Sequence, residues 1–123
     1  VPYLQFDTDF EILDAAAAGF ERAVAELYAE QMDADTSYTA VAIRDDLSIH
    51  LGRAEDERTV VLKADIRRGR TDERKRNLAL AIMDLVAASF NVPAENQKVV
   101  FTEHDGNQMM GSDRVGEDWS ETE

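Results

Sequence analysis

The strongest constraint on this chain is that one strand, helix and strand pattern occurs twice. Residues 2–7 read as a strand because Tyr3, Leu4 and Phe6 favour extended backbone. Asp14 is the expected cap of a helix running to about Met32, in which Leu13, Ala17, Phe20, Val24, Leu27 and Gln31 recur at helical spacing. Residues 38–43 then read as a strand, Arg44-Asp45-Asp46 as a turn and residues 47–51 as a further alternating strand. The order repeats with a strand at 59–66, a cap at Thr71 and a helix striped by Leu78, Ile82, Leu85, Val86 and Phe90. Asn91-Val92-Pro93 stops that helix before a strand at 98–103, and Asp105-Gly106 makes a turn ahead of a short extended piece at 108–110. Asp14 and Thr71 lie 57 residues apart, and Val41 and Val100 lie 59 apart, as a degenerate internal duplication would place them.

Two βαβ units predict an α+β fold, a four-stranded sheet with two helices on one face. With 123 residues and 44% apolar content, the chain is expected to form one domain over 1–112, with repeats of about 1–58 and 59–112. Residues 113–123 read as an acidic tail, frayed or clasping a neighbour, with Trp119 its one strong anchor. Helices cover one side of such a sheet, so its other face is expected to expose Tyr, Leu, Val and Phe positions. A closed ring of copies would cover them.

The charge narrows the partners. Twenty-six acidic residues against thirteen basic ones, ten of them arginine, give a net charge of -13. A lysine-poor, acidic surface is the expected adaptation to a high-salt, halophilic cytoplasm, where cations screen self-repulsion. It argues against nucleic acid, because phosphate binding needs a basic face and the one dense run of positive charge is a short segment. No run is long and apolar enough to span a bilayer, and the start lacks a signal-peptide pattern, so a cytoplasmic protein without a membrane partner is expected. With no cysteine, and with His50 and His104 far apart in sequence, no metal site is expected. Both histidines, like Met109 and Met110, read as structural or solvated.

Two features carry chemistry. Pro2 at a free chain end would be a secondary amine with no side chain to shield it, able to act as base, acid or nucleophile. An α-amino group titrates near ~8, and neighbouring guanidinium groups disfavour its charged form. The cluster Arg67-Arg68-Gly69-Arg70 at the end of a strand would hold an anionic substrate.

In order, spacing and duplication these residues resemble the tautomerase superfamily. Residues 36–41, followed by Arg44-Asp45-Asp46-Leu47 and His50-Leu51-Gly52, are similar to macrophage migration inhibitory factor. Arg67-Arg68-Gly69-Arg70-Thr71 ahead of a helix resembles cis-3-chloroacrylic acid dehalogenase and its relatives. The resemblance implies a cofactor-free homotrimer in which Pro2 transfers protons on a small enol, keto or unsaturated carboxylic acid. Val1 is then read as a translated alternative start codon that is removed. If retained, it would leave Pro2 a non-basic amide and the chain a trimeric binding protein. The resemblance also implies substrate binding by Arg67 with Arg70; the spacing in malonate semialdehyde decarboxylase would instead pair Arg68 with Arg70. Tyr28 falls where the dehalogenase has a histidine, and Glu103 near its tyrosine, so both are catalytic candidates. Tyr38 and Asn107 are substrate-binding candidates by analogy with the migration inhibitory factor. The dehalogenase's further water-activating glutamate has no counterpart, because Met110-Gly111-Ser112 stands there. This makes tautomerisation the leading activity and hydratase, dehalogenase or decarboxylase chemistry the alternative.

Overall fold

A computed structural model describes residues 2–55, 58–115 and 117–120. The order is β1 (Tyr3–Thr8), α1 (Asp14–Met32), β2 (Ala40–Arg44), β3 (Val60–Arg67), α2 (Asp72–Phe90) and β4 (Gln97–His104), followed by the short β5 (Met110–Gly111) and β6 (Arg114–Val115). The four main strands form one mixed sheet in the order β2-β1-β3-β4. Within each unit the strands are parallel, β1 to β2 and β3 to β4, and the units meet through antiparallel β1 and β3.

Strand alternation decides the two faces. Leu4, Phe6, Leu62, Ala64 and Ile66 turn to one side and are buried with Phe20, Val24, Tyr28 and Met32 of α1 and Leu78, Ile82, Val86 and Phe90 of α2. The stripe of α1 is thus carried through Tyr28 and Met32, one position beyond the expected Leu27 and Gln31, which are only partly buried. Both helices end on a left-handed residue, Asp33 and Asn91, whose N–H groups return to Ala29 and Ala87.

The open face differs from expectation. Its alternate positions carry few large apolar side chains and a network of polar ones: Asp7 with Arg44 at 2.7 Å, His104 with Asp65 at 3.0 Å and Tyr3 with Gln5 at 3.3 Å. The Leu and Phe positions went to the helix side because the period-2 register puts them all there together. Tyr3 and Val100 are the exposed large apolar residues on the polar face.

Other expectations are also corrected. Asp14 is the first helical residue, and Leu13 occupies the cap position without a side-chain bond. Residues 47–51 form no strand among the described residues. The Asp45 carboxylate binds the Ile12 N–H at 2.8 Å and Leu47 N–H binds the Thr8 carbonyl at 2.8 Å, so this loop ties across the end of β1 instead of starting a ladder. The tail is not frayed over residues 117–119: Trp119 is buried against its own chain. Among the described residues no helix is long and apolar enough to cross a membrane.

Candidate active site

The residue ahead of β1, the last turn of α1 and the end of β3 converge at one end of the sheet. Pro2 is buried just ahead of β1, and its carbonyl accepts a hydrogen bond from Ala40 N–H at 3.0 Å, which ties it to β2. Tyr28 reaches the same end because it follows Phe20 and Val24 at four-residue steps along the buried side of α1. Beyond β3 the chain turns at Gly69, whose φ of +125° is a conformation that side-chain-bearing residues rarely adopt. That turn delivers Arg70 back toward the helix, where its Nε donates to the Met32 carbonyl at 2.9 Å.

These elements enclose a cavity of about 500 Å³ lined by Pro2, Tyr28, Tyr38, Arg67 and Arg70, with Asp33, Asp35 and Thr36 among the remaining lining residues. Five residues singled out in the sequence are therefore neighbours in space. Arg67 and Arg70 are both buried, at 7% and 6% exposure, which is unusual for arginine. Arg67 Nη1 donates to the Glu117 carbonyl. The Arg70 guanidinium lies 5.8 Å from the Tyr28 ring centre and 5.0 Å from that of Trp119.

Tyr28 is the most informative side chain. Its hydroxyl is buried and has no hydrogen-bond partner among the described residues. Burial pushes its pKa above the usual tyrosine value, while Arg70 and then Arg67 pull it partly back. At neutral pH it is therefore a protonated donor, with two guanidinium groups close enough to act on it. An unpaired donor beside two cations is suited to an anionic oxygen.

The structure separates three expected residues from this group. Glu103 faces the helix side of β4 and is bound by Lys75 Nζ at 2.7 Å, which itself raises the lysine pKa. Asn107 lies in the turn Gly106–Gln108 and lines a different depression with Asp105, Glu117 and Asp118. Arg68 turns outward to Asp105 at 3.2 Å, as alternation along the chain requires. His50 lines a small depression with Asp9 and Glu55, away from the cavity. Among the described residues no group of His, Asp or Glu side chains is arranged to hold a metal ion. Sequence reasoning missed the approach of residues 117–119 to the site. The lone tryptophan was a signal of anchoring, but nothing local said where.

Comparison with known proteins bears on this site. A family model for tautomerase enzymes matches residues 61–117, the half that contains the arginine cluster. The fold is shared with Leishmania major MIF2, at 14% identity and a TM-score of 0.79 over 97% of both chains. It is shared also with N1, a member of the cis-3-chloroacrylic acid dehalogenase family, at 23% identity and a TM-score of 0.79 over 92% of this chain and 82% of that one. Native fused 4-OT gives 20% identity and a TM-score of 0.78 over 92% and 94%. No curated protein matches by sequence. The family match lies in the second unit, and the common fold extends over most of the chain. At these identities the structural likeness speaks for the fold alone.

Proposed function

We propose that this chain is a cofactor-independent proton-transfer enzyme acting on a small enol, keto or unsaturated carboxylic acid, with Pro2 as its base. The observation that carries the reading is the convergence of Pro2, Tyr28, Arg67 and Arg70 on one cavity. Its active form begins at Pro2, so that the ring nitrogen is an amine. That nitrogen takes the enol proton and returns it to carbon, and the ketone results. Arg67 and Arg70 stabilise the carboxylate and the dienolate charge, and the Tyr28 hydroxyl donates to the oxygen on which charge develops.

Ketonisation is preferred to hydration or dehalogenation because Glu103, the carboxylate that the resemblance would use to activate water, is engaged by Lys75 away from the cavity. A homotrimer, the assembly the resemblance implies, belongs to this proposal and is checked by light scattering. The test of the chemistry is intact mass on untagged protein, followed by the ultraviolet decay of a small α-enol carboxylic acid. A chain beginning at Pro2 that accelerates the decay supports the reading. A chain beginning at Pro2 with no activity on any enol acid sinks it, and a retained Val1 turns the reading to a binding protein.

A further inference from the structure

Residues 117–119 cross the ends of three elements, and the sequence prepares places for them. The Asp118 carboxylate accepts the Gly106 N–H at 2.8 Å, and Trp119 N–H donates to the Arg68 carbonyl at 2.8 Å. The indole Nε1 points to the Asp33 carbonyl at the end of α1, at 3.4 Å. Two glycines admit this path. A Cβ on Gly106 would lie 2.1 Å from the Glu117 backbone, and one on Gly69 would lie 2.1 Å from the Trp119 carbonyl oxygen. Gly106 has no left-handed backbone, so the close approach alone accounts for a glycine there.

Two of these residues, Glu117 and Trp119, touch the cavity arginines. Glu117 presents its carbonyl to Arg67, and the Trp119 ring lies against Arg70 and, at 4.7 Å, against Arg74. Arg70 is thereby flanked by two aromatic rings, Tyr28 on one helix and Trp119 on the strap, while its Nε is held by Met32. A long side chain so confined loses its rotamer freedom on folding and not on binding. We propose that the segment Glu117–Trp119 is a positioning strap for the carboxylate clamp, with the Trp119 ring orienting Arg70. Trp119 lies beyond the residues matched by the family model. The inference rests on the proposed role of Arg70 as a carboxylate binder.

The experiment uses the full chain and pyruvate as the probe, with binding measured by calorimetry so that turnover is not required. Trp119→Phe keeps an aromatic face over Arg70, and Trp119→Leu keeps apolar volume without it. Expected is a Kd within about threefold of wild type for the Phe variant and about tenfold weaker for the Leu variant. Gly106→Ala displaces the strap from a distance without substituting any cavity residue. It should weaken pyruvate binding and raise acrylamide quenching of Trp119, the only tryptophan in the chain. Pyruvate binding unchanged in both Trp119→Leu and Gly106→Ala would overturn the strap and leave the clamp standing. Wild-type protein that does not bind pyruvate would remove the clamp reading, and the strap with it.

Discussion

The two ends of the duplicated sheet use the same device to different effect. At each, an arginine from the opposite half binds a carbonyl at the end of a helix, Arg58 to Phe90 at 3.0 Å and Arg70 to Met32 at 2.9 Å. A cation there meets the negative end of the helix dipole. Each also lies against an aromatic ring, Arg58 over Phe10 at 4.6 Å and Arg70 over Tyr28 and Trp119. At the Arg58 end the rings of Phe10, Phe20 and Phe90 pack on one another, with centroids 4.8 Å apart for Phe20 and Phe90, and fill the space. Arg58 stays exposed. At the other end Arg70 is buried beside a cavity that reaches Pro2. A shared backbone plan therefore gives two equivalent corners, and side-chain volume decides which one can hold a ligand.

The largest effect expected to sharpen this contrast comes from Pro2. Protein retaining a residue before Pro2 should lose about 10²–10⁴-fold in turnover of an enol carboxylic acid relative to protein beginning there, since an amide nitrogen cannot accept the proton. Comparable rates would end the role of Pro2. Next, Arg70→Ala should lower kcat/KM about 100-fold, whereas Arg58→Ala should change it less than about threefold. Equal losses would show that both arginines act only through stability.

Smaller effects test the arrangement of the helices. Tyr28→Phe should fold as stably as wild type at neutral pH, within about 1 kcal/mol, because it removes a buried hydroxyl that has no partner. The raised folded pKa of Tyr28 means that its contribution to stability is complete below the ordinary tyrosine value and falls as pH rises from about 10 through the folded value. Urea melts at alkaline pH should show this fall in wild type and less of it in Tyr28→Phe. The least effect concerns the caps. Thr71 accepts the Arg74 N–H at 3.2 Å, so Thr71→Ala should cost about 1 kcal/mol. Leu13→Ser should add about 0.5–1 kcal/mol, because Leu13 is exposed and caps nothing. Thermal melts order the pair.

Much of the fold was legible because period and turn chemistry are local. The stripe Leu78, Ile82, Val86 and Phe90, the Thr71 cap and the stop at Asn91 needed only neighbours in sequence, and the structure has them all. The error at residues 47–51 came from alternation without a partner strand, which no local pattern can supply. The polar open face was misjudged for a related reason, since the apolar strand positions were counted without assigning each to a side. Of the candidate site, the residue types were legible through the order of the two units. The engagement of Glu103 was not, because Lys75 lies 28 residues earlier and meets it only when α2 packs on β4.

The amino-acid sequence by itself determined the two strand–helix–strand units, the Thr71 cap and the arginine cluster of residues 67–70, since each rests on neighbours within a few residues. Only the tertiary structure decided that one corner is filled by phenylalanine rings and the other left hollow. It also decided that Tyr28 is stranded without a partner and that Trp119 returns to lie on Arg70. These outcomes depend on packing between segments up to 86 residues apart, from Asp33 to Trp119, and packing is set by volume and shape in three dimensions.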